Sequence, residues 1–507
     1  MRITNKIMQN NNLYNINRNK VLEDKLSTEM STGKNITRPS DDPVVAIRAL
    51  RLRTNVSTTT QYYKKNIPDA QSWLETTEDA LGSVSAVLTD MVKQAGKGAN
   101  EDLGSEDLST IMEQLTALSD ELYATGDTDY AGRYIFTGYR TDTSLTFQEE
   151  STDVSYKITE QLGLDAFDDV TYVDTKDLFN MNSTTYAASA TTEQDISSNV
   201  VHRIRLAYED MDAVTAANPI TLKQGSTTYS SADASITTYN SAEEAEAAIA
   251  AANKAGTTLV AYSATSGELF VSDDVYTDMM ASTDEIQVTY GKTKFADGDF
   301  RPEHYYACTT TDADGNTIDY NSEYLTGSQT KQAITYDVGA NQSIQVNTTA
   351  DEVFEPGIRR DVTDLQKALE DLVSIEATQK NLKEALADST DTTEKAEIQE
   401  KLDAANKAYT YLRDNVNTMF GSAITKFQGY LDDTNIAITA NGSRSKRLEL
   451  VETRLSSQKT TFETLQSENE DIDISEASVE LKSSELAYEA SLMATSRILQ
   501  TSLLNYL

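Results

Sequence analysis

The chain has 507 residues, 38% hydrophobic and 24% charged, which is material for about two to four domains with polar surfaces. Its formal net charge of -38 excludes a nucleic-acid binder, because phosphates are repelled over most of such a surface. A single cysteine, Cys308, rules out an internal disulfide, and two histidines, His202 and His304, leave little for a metal centre.

From the start, Ile3, Ile7, Tyr14, Val21, Leu26 and Met30 form a thin apolar stripe in a polar stretch, too sparse to hold a helix without neighbours. Met1 to Asn12 lacks the apolar centre of a cleavable secretory signal, and no stretch of the chain approaches a membrane-spanning length. The run R-P-S-D-D-P, Arg38 to Pro43, reads as a turn and helix start, with Ser40 or an aspartate as the cap and Pro43 in the first helical turn. Beyond it Ile67, Ala70, Leu74, Thr77, Leu81, Val84, Leu88, Met91 and Ala95 alternate by three and four, the seam of a long packed helix. Leu108, Ile111, Leu115, Leu118 and Leu122 predict a second helix, with the turn of the hairpin placed at Gly96, Gly98 and Gly104.

Between about Thr141 and Glu355 the texture turns to Thr, Ser, Tyr and Asp with short alternating runs. Ser241 to Ala255 predicts a helix, Thr258 to Val271 two strands about a Ser-Gly turn, and Ile334 to Val346 another hairpin, so the insert reads as α+β in one or two lobes. After Pro356 proline disappears, as long helices require. Ile398, Leu402, Ala405, Tyr409, Leu412, Val416, Met419, Ala423 and Phe427 form one seam and Leu448, Val451, Leu455, Phe462 and Leu465 another, with a break expected at Asn441 and Gly442. A weaker seam, Ile474, Ala477, Leu481, Tyr488, Leu492, Leu499 and Leu503, runs to Leu507.

Charge divides the same way. Met1 to Lys65 holds 12 basic and 5 acidic residues, a surplus of +7, whereas Ala440 to Leu507 holds 7 and 11, a deficit of -4, so the ends attract each other. No histidine pair has zinc-protease spacing and no glycine-rich phosphate loop is present. Asp312, Asp314 and Asn316 approach a calcium loop, but the glycine falls one place early and no acidic residue follows at the right distance, which favours an ordinary turn. The adjacent carboxylates Asp41 and Asp42 belong to the turn. No cofactor and no catalysis are expected.

Helical ends around a variable insert, S-T-G-K-N-I-T-R-P-S-D-D-P at Ser31 to Pro43 and E-L-A-Y-E-A-S-L-M-A-T-S-R-I-L-Q-T-S-L-L-N-Y-L at the end together resemble the bacterial flagellin superfamily. Gly33, Pro39, Ser40, Asp41, Asp42 and Pro43, the segment G-R-Y-I-F-T-G-Y with Gly132, Tyr134, Phe136 and Gly138, and the closing S-L-L-N-Y-L are more similar to its hook-associated members than to the bulk filament subunits. The likeness covers about Met1 to Phe147 and Pro356 to Leu507. It implies a mainly α fold, a coiled coil and bundle built by both ends, with an inserted α+β domain. The expected division is 1–44 with 466–507 as an inner tube layer, 45–147 with 356–465 as a helical bundle, and 148–355 as an outward insert.

The likeness also implies a non-enzymatic subunit that joins hook to filament by self-assembly, its axial contacts made by Ile3, Ile7, Tyr14, Val21, Leu26, Leu481, Tyr488, Leu492, Leu499, Leu503 and Leu507. Expected partners are further copies of the chain, a neighbouring hook-associated junction protein, flagellin, and an export chaperone on the C-terminal helices. Export through the flagellar apparatus to the outside of the cell completes the expectation, with the ends unpaired until assembly. Two alternatives stand beside it: a bulk flagellin, or an insert that binds glycans, motivated by fourteen tyrosines between Thr141 and Glu355.

Overall fold

The computed structural model describes residues 5–175, 177–326 and 332–504. Among these residues the helices are α1 (Asn5–Thr32), α2 (Pro43–Gln61), α3 (Ile67–Gly98), α4 (Ser105–Gly126), α5 (Ala242–Ala255), α6 (Asp273–Met280), α7 (Pro302–Tyr305), α8 (Gly357–Asp388), α9 (Thr392–Glu470) and α10 (Ile474–Leu504). The fold is mainly helical with an inserted β-rich region. The chain divides into two compact units, one of Met1–Gln71, Tyr336–Ile344 and Ser445–Leu507, the other of Ser72–Thr335 and Gln345–Arg444.

In the first unit α1 lies along α10. A π-helical turn at Tyr62–Asn66 separates α2 from α3. There Asn66 Nδ2 donates to Asp337 O at 2.7 Å and the Tyr336 hydroxyl donates to Asp69, which fastens the hairpin of β14 (Thr335–Gly339) and β15 (Gln342–Gln345). That hairpin falls where the alternation between Ile334 and Val346 predicts it.

In the second unit the seam of α3 is wholly buried: Leu74, Thr77, Leu81, Val84, Leu88, Met91 and Ala95 have no exposed surface. Side-chain hydrogen bonds tie the helices together. Ser105 donates to Glu376 at 2.6 Å between α4 and α8, Gln379 Nε2 to Asn406 Oδ1 at 3.0 Å between α8 and α9, and Asn441 Nδ2 to Leu74 O at 2.9 Å between α9 and α3.

Two expectations of the sequence are corrected here. Gly96 and Gly98 lie inside α3 and the turn is residues 99–104; Gly98 is needed for space, since a Cβ there would sit 2.4 Å from the Phe420 ring. The break at Asn441–Gly442 does not occur. Asn441 is buried and spends its amide on α3 rather than on its own backbone, so it does not unwind the helix. The glycine costs about 1 kcal/mol relative to alanine, which the buried Ala437 and Leu448 on either side outweigh.

The insert holds two antiparallel-rich sheets. One runs in the order β4 (Phe167–Val173), β5 (Ser198–Arg205), β10 (Glu268–Val271), β9 (Val260–Ser263), β8 (Thr237–Tyr239). The other runs β13 (Thr317–Tyr320), β12 (Ala307–Thr311), β3 (Ser155–Leu162), β11 (Ile286–Lys292), β6 (Thr221–Gln224), β7 (Thr227–Ser230). Ile158, Val288 and Leu222 from one sheet and Ile204, Tyr262 and Leu269 from the other share a single apolar core. Within it Glu160 is buried, accepting from Ala207 N at 3.0 Å and from the Tyr290 hydroxyl, and burial pushes its carboxyl up to about 7.

Charge holds the sheet of β4, β5 and β10 to α8 and α9. Arg203 donates to Glu268 at 2.6 Å, Asp168 at 2.9 Å and Asp364 at 2.8 Å; Arg205 donates to Asp361 at 2.6 Å and Asp364 at 2.7 Å. Lys426 and the Tyr430 hydroxyl complete the shell of Asp361 at 3.0 and 2.9 Å. Burial works against the Asp364 carboxylate, but Arg203, Arg205 and Arg360 outweigh it and hold the group well below the usual carboxylate range.

Candidate functional site at the paired chain ends

The joint of the first unit is built from three short stretches. α1 ends at Gly33, whose N–H donates to Glu29 O at 2.8 Å, and the chain then meets the end of α9: Asn35 N donates to Glu470 O at 2.6 Å and Ile472 N to Gly33 O at 3.2 Å. Arg53 of α2 grips the Glu470 carboxylate with two parallel bonds, 2.8 and 2.6 Å, and Lys34 stands 3.6 Å from the same carboxylate and pairs with Asp471. Burial pushes Glu470 up, yet the bonds from Arg53 and the charge of Lys34 prevail and lower it.

The turn between α1 and α2 follows from its sequence. Asp41 accepts from Arg38 N at 2.9 Å and Thr37 N at 3.4 Å, bonds that hold its carboxyl below the usual range. Asp42, not Ser40, is the cap: its side chain accepts from Val44 N at 2.9 Å and Val45 N at 3.1 Å, with Pro43 at the first helical position. Ser31, Pro39 and Ser40 are exposed around it.

Because the C-terminal end of α1 meets the start of α10, the two helices run antiparallel. The seam between them is polar. On α1 the covered positions are Gln9, Asn12, Ile16, Asn19, Glu23, Leu26, Glu29 and Met30, and on α10 they are Ala477, Leu481, Ser484, Glu485, Tyr488, Ser491 and Thr495, both largely in three-four alternation. Asn12 Nδ2 and Ser484 Oγ are covered without a hydrogen-bond partner among the described residues. So the single chain does pair its ends, against the expectation that they stay apart, but through a seam that buries little apolar surface.

The expected axial residues divide accordingly. Leu26, Leu481 and Tyr488 stand in the seam. Ile7, Tyr14 and Val21 stand half a turn round α1 from it, 49%, 68% and 70% exposed, and Leu492 is also exposed. Leu499 and Leu503 belong to α10, while Ile3 and Leu507 lie outside the described residues.

In the second unit Asp129–Tyr130 (β1) and Arg133–Tyr134 (β2) form a two-residue hairpin about Ala131 and Gly132, whose φ of 54° and 76° make the turn that glycine favours. Tyr130 packs edge-on to Trp73 at 5.9 Å and the Arg133 guanidinium lies 4.9 Å over the same ring. Tyr134 is half-buried, and Phe136 is buried against Phe354 at 4.9 Å. After Gly138, at φ 62°, Tyr139 N donates to Gln332 Oε1 at 3.0 Å.

Elsewhere the chemistry is structural. Asp312 accepts from Asp314 N at 3.0 Å and Asn316 N at 2.8 Å, an ordinary turn. All fourteen tyrosines of the insert are buried or half-buried, so they form no exposed aromatic row. Among the described residues no cluster of His, Cys, Asp or Glu could hold a metal ion, and no helix is long and apolar enough to cross a membrane.

Known proteins match this chain at the ends. The family model of the bacterial flagellin N-terminal helical region matches residues 3–141, and that of the C-terminal helical region matches 429–507. Both ends of the chain are thus similar to the helical ends of bacterial flagellins. Flagellar hook-associated protein 3 of Salmonella typhimurium is 31% identical over 143 residues, 28% of this chain and 45% of the relative. The protein of the same name from Escherichia coli is 30% identical over 151 residues, 30% and 47% of the two chains. The chain spans about half the length of these curated relatives. Among solved structures, FlgL of Xanthomonas campestris is 12% identical, with 81% of this chain and 98% of that one covered and a TM-score of 0.25.

Proposed function

We propose that this protein is a structural, non-enzymatic subunit of the bacterial flagellum that joins the hook to the flagellin filament. The observation that carries the reading is the terminal pair: two helices from flagellin-type ends meet through a thin polar seam and turn apolar side chains to water. Such a pair is incomplete alone and gains its missing burial from neighbours. The hook-associated relatives and the R-P-S-D-D-P turn favour the junction over the bulk filament.

On this reading residues 1–44 with 466–507 form the inner tube layer, 45–147 with 356–465 the next layer, and 148–355 the outward insert. Ile3, Ile7, Tyr14, Val21, Leu26, Leu481, Tyr488, Leu492, Leu499, Leu503 and Leu507 make the axial contacts. The partners are further copies, a neighbouring hook-associated junction protein, flagellin, and an export chaperone that holds the C-terminal helices. The protein works outside the cell, reached through the flagellar export apparatus.

Deleting the gene tests the proposal. Cells should bear hooks without filaments and shed flagellin into the medium. Loss of the bulk filament protein itself would make this chain the filament subunit, and intact filaments would overturn the reading.

A further inference from the structure

Within the second unit a cavity of about 860 Å³ lies where the insert meets the first turn of α8. Its lining includes Lys292, at the end of β11 and only 3% exposed. The Lys292 ammonium donates to Glu209 O and, at 3.3 Å, to Asp210 O, and lies 5.2 Å from the centre of the Phe295 ring. An ammonium has three N–H donors, and among the described residues no carboxylate oxygen stands within 4 Å of this one. The carboxylates around it are engaged elsewhere. Glu209 pairs with Arg360, and Asp212 accepts from Thr293 N at 3.0 Å and from the Thr293 hydroxyl at 2.7 Å. Asp299 accepts from Ala296 N at 2.9 Å and stands 3.7 Å from Arg359, while Asp210 is exposed to water. Burial prevails over the attraction of all four and holds Lys292 below the usual lysine range. A buried cation with no counter-ion in contact is costly, and the cavity gives one room to enter.

The start of α8 adds to the positive charge. It has no side-chain cap and no acidic residue in its first turn, where Arg359 and Arg360 stand instead, and both arginines line the cavity. The N-terminal end of a helix is itself partly positive and favours an anion. We propose that this cavity binds a small organic carboxylate with an apolar body, whose carboxylate accepts the third N–H of Lys292 while its body lies against Met211, Phe295 and Phe300. The three apolar side chains belong to the same lining, and an inorganic anion would leave that wall wet. Glu150 and Asp210, exposed members of the lining, favour a ligand with one negative charge over a more highly charged one. Binding here does not depend on the hook-filament role.

Benzoate tests it on the purified full-length chain, with benzamide as the uncharged counterpart and acetate as the carboxylate without a ring. Titration calorimetry should show one benzoate site, with binding weaker by about tenfold or more for benzamide, for acetate, and for benzoate on the Lys292→Met chain. In the unaltered chain saturating benzoate should also block acetylation of Lys292 by acetic anhydride. Acetylation of Lys446, exposed on α9, should continue, as read by peptide mass mapping.

Benzamide binding as tightly as benzoate would overturn the carboxylate, and acetate binding as tightly would overturn the apolar body. Benzoate that still binds the Lys292→Met chain, or that leaves Lys292 open to acetylation, would remove Lys292 from the site. No benzoate binding up to millimolar concentration would overturn the proposal outright.

Discussion

The helix α3 carries a continuous three-four apolar seam and α1 only a sparse apolar stripe, and the molecule treats them differently. In α3 every seam position from Leu74 to Ala95 is sealed by other helices of its own unit. In α1 the apolar residues Ile7, Tyr14 and Val21 are half or more exposed, and polar residues such as Asn12 and Asn19 face α10 instead. An apolar stripe marks a surface that water disfavours, and it does not say whether the partner lies in the same chain. The second unit seals its own seams, whereas the terminal helices leave apolar side chains in water.

The largest effect separates the two regions directly. Phe427→Ala, at a fully buried position of α9, is expected to cost about 4 kcal/mol. Tyr14→Ala, on an exposed stripe, should change the stability of the isolated chain by less than about 0.5 kcal/mol. Urea unfolding of the two full-length variants checks the pair. Comparable losses would mean that the α1 stripe is already covered in the single chain, and the contrast would fail.

Next in size is the ionic layer of the second unit. Asp364→Asn leaves Arg203, which is buried, and Arg205, which is nearly so, short of the carboxylate they share, and a cost of about 3 kcal/mol is expected. The loss should persist in high salt, because buried pairs are poorly screened. At the joint of the terminal unit the guanidinium of Arg53 is half exposed, so salt should loosen its grip on Glu470 more readily. Thermal melts of Asp364→Asn and Arg53→Ala chains at low and high salt compare the two. An Asp364→Asn defect that disappears in salt would show this layer to be open to water.

How much of this was legible follows from where the signal lies. The seams of α3 and α4, the Ser241-capped α5 and the hairpins at Val260–Val271 and Thr335–Gln345 are local patterns, and the structure has them where alternation and capping place them. The helix α8 is harder to see in the sequence, although Val362, Leu365, Leu369 and Leu372 have helical spacing, because the inward-facing Arg360 and Asp361 interrupt the apolar stripe. Those charges are buried only because Arg205, Tyr430 and Glu209 come to meet them from far along the chain, which no local window contains. At the terminal joint the R-P-S-D-D-P turn was legible, since Asp42 and Pro43 act on their own neighbours. The clasp of Arg53 on Glu470, more than four hundred residues apart in sequence, was not.

The last effect sharpens what self-sufficiency means for the insert. Its core encloses Glu160, whose carboxyl burial raises from an ordinary 4.5 to about 7, against the hydrogen bonds from Tyr290 and Ala207 that favour the charged form. A carboxyl raised in the folded state holds its proton there more tightly than in the unfolded chain. The folded state is therefore favoured in acid, and the advantage is lost as pH rises from about 4.5 through about 7. Glu160→Gln keeps an acceptor for both bonds and removes the titration. Relative to acid, it should be stabilising by under about 1 kcal/mol at pH 5 and by about 3 kcal/mol at pH 8. Urea midpoints of wild type and variant across that range decide the matter: a difference that does not grow with pH would mean that Glu160 is ionised in the core throughout, and that the insert carries an unneutralised charge at its centre.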